Sequence, residues 1–317
     1  MAESQLYQPI SVYQTRILCL HGHDAVAESP LRCDLYPADI LHPSFGGIGV
    51  RSDKNGEDHI VSYEALSYAW GSAVRSKSIV CNNVPFAITE NLYSALEVLR
   101  PTSDSGRRYI WIDALCINQS DPAERSRQVR SMLFIYQNAT RVIAWLGHKH
   151  LNTKDALTAV ASPPKEWLDI NFPVVISGLE DLYSRSWFKR MWVQQEIHAA
   201  KQLVLHCGDL QFSWFPELSN PESILPPPKN QPNESLAWYK SKPKTASAQD
   251  PLSTLRASMS SLRLHNLAHL RCFEQFSGSH PAPIDFVETL LITGLLQTTD
   301  PKDHVYGILG MNIIATD

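Results

Sequence analysis

One stretch of about forty residues, the length of a single βαβ unit, constrains the fold more than any other. It runs from Tyr109 to Gly147: YIWIDALCINQSDPAERSRQVRSMLFIYQNATRVIAWLG. Ile110, Trp111 and Ile112 form one short apolar run, and Val142 to Leu146 form another. Strands buried on both faces have this appearance. Between the two runs, Val129, Met132, Leu133 and Tyr136 recur at i, i+3, i+4 and i+7, which makes one buried stripe on a helix. Arg125, Arg127 and Arg130 occupy the rest of its surface as solvated charges. Asp121, Pro122 and Glu124 fit N-cap, N1 and N3: a capping side chain, a preset φ and a reciprocal carboxylate.

The polar loop after the first strand carries Asp113, Cys116, Asn118 and Gln119. In an open parallel sheet the carboxyl ends of the strands face the crevice where ligands bind, so these residues leave from a functional edge. Asp113 and Asn118 equally suit loop amides, and Cys116 suits a small buried apolar site. A Cys116 nucleophile paired with a histidine such as His148 lacks any base placed beside it in the sequence.

Upstream, YEALSYAWGS reads as an aromatic strand ending at Gly71, which brings Ser67, Tyr68, Trp70 and Gly71 to the same edge as Asp113. Asn82 and Asn83 separate two β-prone runs as a two-residue hairpin, since asparagine tolerates positive φ. Thr89 caps a helix with Leu92, Ala95, Leu96 and Leu99 on its buried side, ended by Pro101. Nearer the N-terminus, Arg16 to Leu20 reads as a strand, while Pro30, Pro37, Pro43 and Gly46, Gly47 and Gly49 punctuate the remainder. His21, Gly22, His23 and Asp24 have no second ligand cluster at metal spacing and read as a solvated turn.

Downstream, RSWFKRMWVQQEIHAAKQLVLHCG supplies a helix capped by Ser186 and a strand, Leu203 to Cys207, closed by Gly208. Trp192 and Glu196 lie four apart, which stacks a carboxylate over an indole. Glu196 either pairs with Arg185, Lys189 or Arg190 or serves a site. Trp70, Trp111, Trp145, Trp187 and Trp192 suit core positions, because aromatics dominate core burial. Prolines at 216, 221, 226 to 228, 232, 243 and 251 mark residues 216–251 as a loop or linker. The division expected is 1–60, an extension that either joins the sheet or precedes it; 61–215, the main domain; the linker; and 252–317, with helices at 252–276 and 284–297.

Lys plus Arg number 28 against 32 Asp plus Glu, a formal charge of -4, so no nucleic-acid footprint is indicated. Six cysteines without a CxxC pair do not form a disulfide framework or a zinc ribbon. The N-terminus lacks a signal pattern and no run is long enough to span a membrane, so the expected compartment is the cytoplasm. GxGxxG and GxxxxGK[ST] are both absent, which leaves nicotinamide oxidoreductases and P-loop enzymes unsupported.

The blocks YEALSYAWG, YIWIDALCINQSDPAERSRQVRSMLFIYQNATRVIAWLG and RSWFKRMWVQQEI closely resemble the fungal heterokaryon incompatibility (HET) domain family over about residues 63–208. Asn91, Leu92, Ala95 and Leu96 add a fourth piece, and TTDPKDHVYGILGM resembles the tail that commonly follows the domain. Typical members continue well beyond this tail, which implies a short member or a shortened chain. Position 72 is Ser where many members carry an acidic residue. The resemblance implies fungal non-self recognition and programmed cell death, an innate-immunity role with incompatibility or NLR-like partner proteins and self-association. It further implies a flavodoxin-like α/β fold similar to Toll/interleukin-1 receptor (TIR) domains, a parallel sheet flanked by helices with a mainly helical C-terminal appendage.

Some TIR domains hydrolyse NAD with a glutamate on a helix after a tryptophan motif, which makes Glu196 the implied catalytic residue and NAD a substrate with no resident cofactor. Trp192 or Trp70 would stack on a ring, Asp113 and Asn118 would hold ribose or phosphate, and Ser67, Tyr68, Gly71 and Gln119 would complete the rim. A carboxylate can stabilise the oxocarbenium-like centre, and the departing nicotinamide needs no proton, so one glutamate suffices. The alternative is a non-catalytic module that signals by oligomerising. Fold alone does not decide between them.

Overall fold

A computed structural model describes residues 6–23, 29–40, 48–51, 58–156, 172–213, 284–285, 296–298, 301–303 and 313–314. In chain order the first strands are β1 (Gln14–His21), β2 (Arg32–Asp39), β3 (Ile48–Arg51), β4 (Asp58–Val61), β5 (Glu64–Tyr68), β6 (Lys77–Cys81) and β7 (Val84–Ile88). There follow α1 (Glu90–Leu99), β8 (Arg107–Trp111), α2 (Asp113–Cys116), α3 (Pro122–Asn138), β9 (Val142–Trp145), α4 (Phe172–Ser184), a 3-10 turn (Ser186–Lys189), α5 (Val193–Ala199), β10 (Leu203–Cys207) and β11 (Leu210–Ser213). Two short strands, β12 (Ile284–Asp285) and β13 (Ile313–Ile314), pair with each other apart from the main sheet.

The main sheet has eleven strands in the order β11-β10-β9-β5-β8-β1-β2-β3-β4, and the β6/β7 hairpin joins through β2. Its centre, β10-β9-β5-β8, is parallel, and every residue of β5, β9 and β10 is buried. Taken in order of appearance, these four strands lie 2-1-3-4 across the sheet. β8 and β9 do not pair with each other, because β5 lies between them, so α3 crosses over β5. Tyr63 and Tyr136 fasten this crossing: their hydroxyls donate to the Ile135 and Leu66 carbonyls at 2.5 and 3.2 Å. The two connections, β5 to β8 and β8 to β9, run in opposite directions across the sheet, so right-handed crossovers put α1 and α3 on opposite faces.

The sheet is mixed, where a parallel one was expected. β1 lies antiparallel to β8 and β2, and β11 lies antiparallel to β10. The turn at Gly208 and Asp209 is too short for a crossover, so it can only fold β11 back on its neighbour. Strands from residues 14–61 belong to this same sheet, and β1 supplies four core residues, Ile17 to Leu20.

Several local expectations hold. Asp121 accepts from the Ala123 and Glu124 amides with Pro122 at N1, and Thr89 accepts from Leu92. Asn82 and Asn83 have φ of 49° and 63°, the left-handed pair that a tight hairpin requires. The α3 stripe is rotated from its expected position: Gln128, Met132, Ile135 and Tyr136 are buried, while Val129 and Leu133 are only partly so. Polar residues take part of the buried face because β1 offers them partners. Gln128 donates to the Gln14 carbonyl at 2.6 Å, and Glu124 meets Arg16 at 2.7 Å. Glu124 also accepts from the Asn118 amide, three residues before the Asp121 amide that a capping box would use.

Ser186 does not cap a helix. It begins a 3-10 turn, and α5 starts only at Val193, after an interruption at residues 190–192. The helix expected over 284–297 is not present at its described ends: 284–285 is strand, and Gln297 makes a parallel bridge to Arg190. Residues 216–251 and 252–276 lie outside the described residues, as do Asp24, Pro43, Gly46 and Gly47. Among the described residues no helix is long and apolar enough to cross a membrane.

Candidate functional site

The carboxyl ends of β5, β8, β9 and β10 share one edge of the sheet, and charged side chains converge there. Glu196 is 2% exposed on α5, the helix that packs against α3. Its Oε2 accepts from the Ser67 hydroxyl on β5, and the same hydroxyl accepts from the Trp187 indole N–H at 2.6 Å. Its Oε1 lies 3.7 Å from Nη1 of Arg190, which donates to the Tyr68 carbonyl at 2.7 Å.

Asp113 stands at the other side of this group, half-buried at the end of β8. Its Oδ2 accepts from the Trp70 indole N–H at 2.9 Å and its Oδ1 from the Ala114 amide at 2.7 Å. Trp70 is 43% exposed, so its ring forms part of the outer rim of the edge. Gly71 follows with φ of +69°, a conformation that lets the chain turn sharply out of β5 past Asn91.

Arg190 pairs with Glu196 and also acts electrostatically on Asp113. Burial pushes the Glu196 carboxyl upward; Arg190 and the Ser67 hydrogen bond pull it back, and Asp113 adds to the rise. Asp113 is raised by burial as well, against the pull of Arg190, Trp70 and the Ala114 amide. Burial works against the Arg190 cation, yet Glu196 and Asp113 more than offset it and raise its pKa. This arrangement presents a shielded carboxylate with a fixed counter-ion, the type of group that can stabilise a developing cation without leaving an uncompensated buried charge.

The expected site residues separate into two groups. Ser67, Tyr68, Trp70, Gly71, Asp113 and Glu196 lie together at the edge. Asn118 and Gln119 do not point into it: Asn118 Oδ1 accepts from the Ser120 amide and hydroxyl, and Gln119 donates to the Asp113 carbonyl at 2.8 Å, so both build the loop. Trp192 and Glu196 use separate partners, since the Trp192 indole N–H donates to Asp303 at 3.2 Å. Cys116 is buried, and burial pushes its thiol up to about 12, which removes it as a nucleophile.

Arg190 was visible in the sequence only as one of three cations that Glu196 could pair with. Of the other two, Arg185 turns away to the Leu146 and His148 carbonyls and Asp181. Arg190 is distinguished by its place between the 3-10 turn and α5, from which its guanidinium reaches the Tyr68 carbonyl at the end of β5. Trp187 and Asp303 carried no sequence signal for this site; each is recognised only by its hydrogen bond.

The family model described as Heterokaryon incompatibility protein (HET) matches residues 63–196, from the start of β5 to Glu196 itself. A curated relative, Heterokaryon incompatibility protein 6, OR allele, of Neurospora crassa, is 28% identical over 243 residues, covering 61% of this chain. The chain spans about a third, 33%, of that relative's length. No solved structure matches. The three sequence blocks fall on β5, on β8 to β9 and on the segment that carries Glu196, so the similarity to the heterokaryon incompatibility (HET) family covers the strands and the helix that build the candidate site.

Proposed function

We propose that the protein acts in fungal heterokaryon incompatibility, in the cytoplasm, as a nucleotide-consuming enzyme: it hydrolyses the nicotinamide–ribose bond of NAD(P) and so contributes to programmed cell death. The observation that carries this reading is Glu196, held at the carboxyl edge of the sheet's four parallel central strands between Ser67 and the Arg190 counter-ion. The 2-1-3-4 order of the central strands supports it, because flavodoxin-like sheets, the fold attributed to TIR domains, have this order and bind ligands at the switch point beside the first strand. Ser67, Tyr68, Trp70 and Gly71 are on or just after that strand.

In the reaction the bond from ribosyl C1′ to the nicotinamide nitrogen breaks, and its electron pair leaves with a neutral nicotinamide. The Glu196 carboxylate faces the oxocarbenium-like sugar, water adds to C1′, and the water proton passes to solvent. Trp70 offers an exposed ring face for stacking, and Asp113 an acceptor for a ribose hydroxyl. Glu196 is almost fully shielded, which suits an enzyme whose resting form is closed and whose edge opens on assembly.

The test is nicotinamide release by purified protein, dilute and artificially clustered, beside Glu196→Gln. Release that requires clustering and Glu196 is the expected outcome. A folded, clustered protein that releases none would transfer support to an oligomerising module without catalysis. That second reading draws on the complete pairing of Glu196 within the protein, which a structural carboxylate also shows.

A further inference from the structure

We propose that residues 296–298 and 301–303 form a positioning clasp for the Glu196 site, with Gln297 and Asp303 as its two points of contact. The inference rests on the glycohydrolase reading for its kinetic consequences and on geometry alone for the clasp itself. Between the 3-10 turn and α5, residues 190–192 belong to neither element; the Arg190 amide and the Met191 and Trp192 carbonyls bond within residues 187–196, and the Met191 amide and the Lys189 carbonyl bond outside them. Gln297 takes both: its amide donates to the Lys189 carbonyl at 2.6 Å, and its carbonyl accepts from the Met191 amide at 3.1 Å. These two bonds straddle Arg190. Leu296 anchors the segment in the core at 5% exposure, and Asp303 accepts from the Trp192 indole N–H at 3.2 Å.

The clasp thus grips the chain on both sides of Arg190 and again at Trp192, four residues before Glu196. It fixes the backbone origin of the guanidinium that faces Glu196. A long cationic side chain reaches a defined point only if its backbone is held, and the polar supports of a site determine how closely it keeps its working geometry. The residues that do this lie a hundred positions beyond the family-matched segment, across the proline-rich stretch. The site therefore requires this distant part of the chain, and Gln297 and Asp303 act through Arg190 and Trp192 without touching the reacting atoms.

The experiment uses the full chain, clustered, with Asp303→Ala, Asp303→Asn and Gln297→Pro. Asp303→Asn keeps an oxygen that accepts the indole N–H; Gln297→Pro removes the amide that Lys189 needs. Asp303→Ala is expected to lower kcat for NAD by roughly tenfold to a hundredfold, with KM and thermal midpoint little changed, and Asp303→Asn to restore it. Full kcat in Asp303→Ala, or equal loss in both Asp303 variants, overturns the proposal. If the wild type releases no nicotinamide, the glycohydrolase reading fails by itself, and hydrogen exchange over residues 189–196 decides the clasp. Faster exchange there in Asp303→Ala and Gln297→Pro, with Asp303→Asn as wild type, supports it; unchanged exchange in all three overturns it.

Discussion

Ser67 and Glu196, 129 positions apart, are joined by a hydrogen bond from the serine hydroxyl to one carboxylate oxygen inside the protein. The same hydroxyl receives the Trp187 indole N–H, so one small side chain satisfies groups from two other segments. Ser67→Ala leaves both buried partners short of a bond. A loss of about 1–3 kcal/mol in unfolding free energy is expected by chemical denaturation. A change within a few tenths would mean that the two groups find other partners.

Arg190 pairs with Glu196 and acts electrostatically on Asp113, and truncating it deprives both carboxyls of that cation. Arg190→Met is expected to destabilise by about 3–5 kcal/mol. Adding Glu196→Gln removes one of the stranded charges, so the double variant should lose less than the sum of the singles, with a coupling of about 1–3 kcal/mol in a double-mutant cycle. Simple additivity would dismiss the shared-cation arrangement.

The Glu196 and Asp113 carboxyls are held above their ordinary values, so the folded protein binds their protons more tightly than the unfolded chain does. Their contribution is present below the ordinary carboxyl range and is lost as pH rises through it toward the raised native values. Glu64 runs the other way: burial raises it, but Arg108 and Arg141 outweigh this and lower it, so its contribution is lost as pH falls. Urea midpoints measured upward from pH 4.5 should fall less steeply in Glu196→Gln than in the wild type, the two acids titrating as a pair. Parallel curves would show that Glu196 is not raised.

Arg16 and Glu124, both almost fully buried, tie β1 to the first turn of α3, and Arg16 also donates to the Cys116 carbonyl at 3.1 Å. Arg16→Met should cost about 3–5 kcal/mol by leaving Glu124 unpaired. The double variant Arg16→Met with Glu124→Gln should recover much of it. No recovery would indicate that the guanidinium serves mainly the backbone carbonyls.

Cys19, Cys33, Cys81, Cys116 and Cys207 are all buried as free thiols, and burial pushes Cys116 to about 12 and Cys207 to about 11. A charged alkylating reagent at pH 7.5 is expected to leave these five unmodified until denaturant is added, read by peptide mass. Rapid labelling of Cys116 in native protein would reopen a thiol role for it.

Local chemistry made much of this legible. The strands around Ile110, Val142 and Leu203, the Asp121 and Thr89 caps and the Asn82–Asn83 turn each follow from side chains acting within a few residues. The carboxyl-edge rule brought Ser67, Trp70 and Asp113 together before any coordinates, because strand direction alone places them. Asn118 and Gln119 misled for the same reason: an edge loop needs residues to build it as well as to serve it, and polarity does not distinguish the two.

Sequence alone determined the central strands and helices, the resemblance to the HET family and the edge at which the candidate site lies, since periodicity, caps and turn residues act over one or two turns of chain. Tertiary structure alone decided that β5 separates β8 from β9, that β1 enters antiparallel, that Arg190 is the cation for Glu196, and that Gln297 and Asp303 close on it. Those are pairings between distant segments, chosen by which buried polar groups can satisfy one another once the sheet has assembled, and no local pattern encodes that choice.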